Sequence, residues 1–80
     1  MTVTVLLFAS YADLIGENQL ELELPLGATA GDVLGHVQGL PGAERLPKSP
    51  MLAVNERYAR REQVLETGDR VAVIPPVAGG

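Results

Sequence analysis

Two stretches near the start of the chain alternate in polarity, and this alternation constrains the fold more than any other feature. Residues 20–24 read Leu-Glu-Leu-Glu-Leu, and residues 2–10 place an unbroken apolar row, which begins at Val3, on one face. Side chains of a β-strand point alternately to opposite faces, so a period of two predicts a strand with one buried face. We therefore expect two strands joined as a hairpin-like pair through a turn at Glu17-Asn18.

One later segment has the period of a helix. Thr29 supplies N-cap chemistry, and Asp32, three residues on, completes an acidic variant of the capping box. Apolar residues then recur at helical spacing, which predicts a helix over residues 30–39. Glycines recur every four residues from Gly31 to Gly39, opposite the apolar stripe, so we expect an exposed glycine face.

Three further segments predict strands: an apolar run at residues 51–54, a small strand near residues 57–59 after a turn at Asn55-Glu56, and residues 70–74. A tight turn at residues 67–69 precedes the last strand. Pro75-Pro76 ends it, because proline cannot donate ladder hydrogen bonds. One main helix packed on a mixed sheet of four to five strands gives an α+β fold class.

Composition excludes several kinds of chemistry. The 80 residues suffice for one domain, and no cysteine and a single histidine leave no metal site, disulfide or histidine-dependent triad to expect. The net charge of -4 disfavours nucleic acid as a partner. No apolar run approaches the ~20 residues of a membrane span, and the start lacks a signal-peptide pattern, so we expect a cytoplasmic protein without membrane partners.

The last residues form a diglycine tail. We predict a folded domain over residues 1–76 and a flexible tail over residues 77–80. Glycine has no side chain to pack and adopts almost any backbone conformation. Gly79 and Gly80 therefore suit a carboxyl end that is threaded through a narrow channel and handled by another protein, although chain ends are also commonly frayed.

Short patterns in this sequence are shared with a known family. The most specific is Gly68-Asp69, a strand, and then Pro75-Pro76-Val77-Ala78-Gly79-Gly80. Phe8-Ala9 and Val54-Asn55 match two further patterns. With these features the whole chain resembles the ubiquitin-like β-grasp sulfur carriers, and among them the small subunit of molybdopterin synthase, the MoaD type.

The resemblance implies a sulfur carrier for molybdenum cofactor biosynthesis that is not catalytic alone. It implies that an E1-like adenylating enzyme joins Gly80 to AMP from ATP, and that a sulfur donor acting through that enzyme leaves Gly80 as a thiocarboxylate. A larger molybdopterin synthase subunit then accepts the tail, with Val77, Ala78 and Gly79 giving access, and sulfur passes to a pterin precursor. No permanently bound cofactor is implied.

Two alternatives stay open. Related carriers with diglycine tails deliver sulfur for thiamine, tRNA thiolation or cysteine synthesis, or are attached to lysines as ubiquitin-like modifiers. A plain β-grasp interaction module with an inert tail is the second alternative.

Apolar residues on the outward side of the predicted strands indicate a partner-binding surface. A lone sheet face normally carries polar groups there, so an apolar patch points to docking. The expected patch lies on the sheet face away from the helix and continues into the prolines; its residues are Leu6, Phe8, Tyr58, Ile74, Pro75 and Pro76. The cluster of Arg57, Arg60 and Arg61 is the next candidate, although charged runs usually form a solvated loop.

Overall fold

Five strands and two α-helices make up the part of the chain that the structure, a computed structural model, describes: residues 1–46 and 49–75. In chain order the elements are β1 (Thr2–Leu7), α1 (Ala9–Ile15), β2 (Gln19–Glu23), α2 (Ala30–Gln38), a 3-10 turn (Ala43–Arg45), β3 (Met51–Val54), β4 (Arg57–Ala59) and β5 (Arg70–Ile74). The predicted tail, residues 77–80, lies outside the described residues, as does Pro76.

The strands form one mixed sheet in the order β2-β1-β5-β3-β4. β1 and β5 run parallel, and the other neighbours are antiparallel. β5, the last strand of the described residues, therefore lies in the middle of the sheet, and β2 and β4 form its edges. The predicted α+β class, with one main helix on a mixed sheet, is confirmed.

The core lies between the inner face of the sheet and α2. Val3, Val5, Val71 and Val73 are all fully buried on the two central strands. The apolar stripe of α2 meets them; its buried members are Ala30, Val33, Leu34 and Val37. Since burying one such side chain contributes roughly 1.5–3 kcal/mol, these alternating rows fix which face of each strand points inward. The predicted phase of β1 and β5 is therefore correct.

The first strand is shorter than its alternation predicts. β1 ends at Leu7, and Ala9 begins α1 with a positive φ of 48°. Ala9 is exposed, so its predicted place in the buried row is wrong. The helix ends at Gly16, whose left-handed φ of 88° lets its N–H donate to the carbonyl of Ala12 at 2.8 Å.

The glycines of α2 do not share one environment. The capping box at its start is present as predicted, with Thr29 and Asp32 bonded in both directions. A Cβ at Gly35 would meet nothing within 4 Å, whereas one at Gly31 would lie 3.1 Å from the Arg61 carbonyl oxygen. The expectation of a uniformly exposed glycine face is therefore wrong at Gly31, because the chain after β4 packs closely against that turn.

Candidate functional site

The outer face of the sheet, opposite α2, carries a continuous apolar row. By alternation, Ala72 and Ile74 on β5 point away from the core. The strand register places Leu6 of β1 beside Ala72 on one side and Ala53 of β3 beside it on the other. Because two of these three side chains are alanines, the middle of the face is low and its margins stand higher.

Larger side chains at the margins turn this row into a concave surface, which we call the outer concavity. Phe8 stands on one side, where β1 leads into α1, and Tyr58 stands on the other, on the edge strand β4. Phe8 is 46% exposed and Tyr58 is 74% exposed. The residues that line the outer concavity are Leu6, Phe8, Ala53, Asn55, Glu56, Tyr58, Arg70, Ala72 and Ile74.

The structure brings together the four apolar residues predicted from the sequence. Leu6 and Ile74 are partly buried, Phe8 and Tyr58 are exposed, and all four line the outer concavity. Pro75 follows Ile74 directly and is partly buried. Their role in binding partners stays a prediction. The remaining predicted site residues lie outside the described part of the chain: Pro76, Val77, Ala78, Gly79 and Gly80.

One end of the outer concavity is polar, and sequence reasoning missed it. Asn55 and Glu56 form the turn between β3 and β4, with positive φ values of 50° and 71°. Arg70 opens β5 on the same face as Ile74. Alternation along β5 was signal enough to place Arg70 on this face, whereas the place of Glu56 depends on a turn geometry that the sequence leaves open.

Hydrogen bonds fix the polar end to the sheet. The Asn55 side-chain oxygen accepts from the backbone N–H of Arg70 at 3.0 Å, and the Asn55 backbone N–H donates to the Arg70 carbonyl at 2.8 Å. Nδ2 of Asn55 also donates to Asp69 at 2.9 Å. Both backbone groups of Arg70 are thus held, and the Arg70 side chain rises from a fixed point.

Two kinds of feature are absent from the described part of the chain. Among those residues, no group of three or more histidine, cysteine, aspartate or glutamate side chains is placed to hold a metal ion. Neither α1 nor α2 is long and apolar enough to cross a membrane. The outer concavity itself combines a concave shape, an apolar surface and charged residues at one end, which are properties of a docking surface.

Comparison with known proteins decides the family. The ThiS family profile matches residues 5–80, which include every residue that lines the outer concavity and the diglycine. The chain belongs to the ThiS family. This ThiS-family chain is 35% identical over 83 residues to the molybdopterin synthase sulfur carrier subunit of Chlamydomonas reinhardtii, with all of both chains covered. It is also 35% identical to that of Arabidopsis thaliana, covering 98% of this chain and 82% of the relative.

Solved structures confirm the β-grasp fold of this ThiS-family chain. SAMP1 from Haloferax volcanii superimposes with a TM-score of 0.84 at 26% identity and full coverage of both chains. A putative molybdopterin converting factor subunit 1 from Pyrococcus furiosus gives 0.81 at 30% identity, covering 96% of this chain and 99% of that one. The predicted resemblance to molybdopterin synthase sulfur carrier subunits is confirmed.

Proposed function

We propose that this chain carries sulfur for molybdopterin synthesis as a thiocarboxylate on Gly80. The observation that supports this most is the end-to-end relation to molybdopterin synthase sulfur carrier subunits, which covers both chains in full. The outer concavity adds a docking surface at the base of the tail. The chain is a carrier that acts with other proteins in the cytoplasm and keeps no cofactor bound between cycles.

The proposed chemistry turns a poor electrophile into a sulfur store. A carboxylate resists attack because its charge is delocalised and oxide is a poor leaving group. An E1-like enzyme joins the Gly80 carboxylate to the α-phosphate of ATP, forming an acyl adenylate and releasing pyrophosphate. A hydrosulfide equivalent from the donor attacks the acyl carbon, and AMP leaves with the electron pair of the broken C–O bond. The thiocarboxylate sulfur is then the nucleophile for the pterin precursor.

The fold supports delivery of that sulfur to a larger subunit. Ile74 is the last outward residue of β5 and lines the outer concavity, and Pro75 follows it at once. A protein that covers the outer concavity therefore lies where the chain leaves the sheet. A Helicobacter pylori protein of this fold, 22% identical with a TM-score of 0.73, is found in a complex of subunits 1 and 2 of molybdopterin-converting factor. We propose a larger subunit of that kind as the partner.

A second function has a specific observation in its favour. SAMP1 of Haloferax volcanii, a small archaeal modifier protein, superimposes over the full length of this chain. A modifier needs the same activated glycine but gives it to a lysine amine, so that the carrier itself is transferred instead of its sulfur. The two functions therefore differ in the acceptor and share the tail.

Deletion of the gene in its own organism separates the two functions. We expect the deletion strain to lose molybdopterin, and a plasmid with the full chain to restore it, whereas a chain lacking Gly80 does not. Arg70 is the last basic residue, so trypsin leaves residues 71–80 on any lysine that the chain modifies. Normal molybdopterin in the deletion strain, together with lysines carrying that remnant in the wild type, would replace the carrier function by the modifier function.

A further inference from the structure

We infer that Arg70 determines which proteins dock on the outer concavity, by requiring a carboxylate on the partner. The inference rests on the proposed function, because it concerns the same docking surface. It adds the chemistry of the partner: an apolar protrusion that fills the centre of the outer concavity, and an acidic side chain at the end away from the tail.

The outer concavity is graded along the strands. Arg70, Ala72 and Ile74 share one face of β5 and span about 13 Å from the first to the last. The polar group stands at the beginning of the strand, and the apolar group stands at its end, next to Pro75. Thr4 lies beside Arg70 on β1, and Met51 lies beside Ile74 on β3, so the neighbouring strands follow the same gradient. A partner matched to this gradient docks in one direction, with its tail-receiving end at Ile74.

Arg70 is held at its backbone and open at its side chain. Asn55 bonds both the N–H and the carbonyl of Arg70, which fixes the point from which the side chain extends. Within residues 1–46 and 49–75, no carboxylate lies at ion-pair distance from the guanidinium. The side chain is exposed to water and lines the outer concavity. Arg70 is thus a charge whose partner the described chain does not supply.

Docking changes what Arg70 requires. A protein that covers the apolar centre also removes water from Arg70, because Arg70 lines the same concavity and lies two residues from Ala72 on the middle strand. Burying an arginine that gains no partner strongly destabilises the complex. A carboxylate on the partner offsets this cost, because it can form a bidentate ion pair with the planar guanidinium. Glu56 lies in the turn that leads to the edge strand β4, where contact with water is retained more easily. The charge that the partner must supply is therefore a carboxylate that pairs with Arg70.

The test compares two arginines of equal charge on different surfaces. Arg57 is exposed on the edge strand β4, opposite Val54, whose side chain is buried in the core, and it does not line the outer concavity. The full-length chain is titrated with the large molybdopterin synthase subunit of the same genome, as wild type, R70E, R70Q and R57E. We expect R70E to weaken binding about tenfold or more, R70Q to weaken it less, and R57E to change it by at most about twofold. Raised salt weakens wild-type binding more than R70Q binding.

The outcomes separate the inference from the proposed function. Melting temperatures establish whether each variant is folded. If R70E does not fold, R70Q still tests the inference. If R70E, R70Q and R57E bind the large subunit with equal affinity, the inference is overturned. Normal thiocarboxylate formation in the same samples would then leave the proposed function standing. A wild-type chain that forms no thiocarboxylate with its activating enzyme overturns the proposed function. If the wild-type chain does not bind the large subunit but self-associates, the outer concavity binds a second copy of the chain, and the inference is overturned.

Discussion

Asn55 and Asp69 are joined by a hydrogen bond of 2.9 Å from Nδ2 to Oδ1, and this bond ties the β3–β4 turn to the start of β5. The other carboxylate oxygen of Asp69 accepts from the backbone N–H of Glu66 at 2.8 Å. Asn55 has a left-handed φ of 50°, which asparagine tolerates better than most residues. The pair therefore stabilises the turn that forms the polar end of the outer concavity.

Asp69→Ala is expected to destabilise the domain by about 1–2 kcal/mol, because it leaves Asn55 and Glu66 without their acceptors. Urea denaturation of the variant measures this change in the free energy of unfolding. Asp13→Ala is the matched control, since Asp13 is exposed on α1 and makes no side-chain hydrogen bond or ion pair within the described part of the chain. Equal losses in the two variants would contradict a stabilising role for Asp69.

Gly35→Ala is expected to raise the free energy of unfolding by about 1 kcal/mol, because alanine favours the helix interior and its methyl group meets open space. Gly31→Ala should bring no such gain, since its Cβ would lie 3.1 Å from the Arg61 carbonyl oxygen. Thermal melts of the two variants, run beside the wild type, compare the same substitution in one helix. The assignment of two environments fails if both variants gain equally.

Burial raises the pKa of Tyr11 above its ordinary value of 10.0. The native state therefore keeps this phenol protonated at a pH where the unfolded chain has lost the proton. The free energy of unfolding should fall as the pH rises from that ordinary value towards the native pKa, and Tyr11 should have no such effect at lower pH. Urea melts of wild type and Tyr11→Phe at about pH 8 and about pH 11 measure the difference in slope. A variant that loses as much stability as the wild type over this interval would show that Tyr11 is not the cause.

Phe8→Asp and Ile74→Asp are each expected to weaken binding to the large synthase subunit and to the activating enzyme, because both side chains line the outer concavity. The two proteins should also compete for the carrier. Leu26→Asp is the matched control: Leu26 is 85% exposed but lies between β2 and α2, away from this surface. Isothermal titration gives the affinities, and circular dichroism establishes that the variants are folded.

Normal binding by both concavity variants would place docking on another surface. The cluster of Arg57, Arg60 and Arg61 would then be the next surface to test, by replacing the three together. Weakened binding in Leu26→Asp as well would show that the added charge, and not its position, is responsible.

The sequence predicted the later strands better than the first one. Residues 51–54, 57–59 and 70–74 are strands with the predicted bounds, because a proline or a turn in the sequence lies directly beside each of them. The predicted end of β1 is too late, because the apolar alternation of the sequence continues past Leu7. The backbone nevertheless turns into α1 at Ala9. The 3-10 turn Ala43–Arg45 was not predicted. It depends on Gly42, which has a φ of 93° and lies against the Leu14 carbonyl, a contact between segments far apart in the chain.

The candidate site was predicted in its apolar half only. Alternation placed Leu6 and Ile74 outward, and the structure agrees. The low centre depends on Ala53 and Ala72 becoming neighbours, which requires the register of β3 on β5. No local pattern encodes that register. The sequence alone therefore predicts an apolar face but neither its concave shape nor its polar end.

The mass of the peptide 71–80 tests the central claim most directly. The full chain is incubated with its activating enzyme, ATP and a sulfur donor, and trypsin then cleaves after Arg70. Both methionines, Met1 and Met51, lie outside this peptide, so methionine oxidation cannot imitate the exchange of one oxygen for one sulfur. We predict that the peptide gains the mass of that exchange, and that a chain lacking Gly80 does not, although its melting temperature is unchanged. An unaltered wild-type peptide, or an equal gain in the chain lacking Gly80, would contradict sulfur carriage on Gly80.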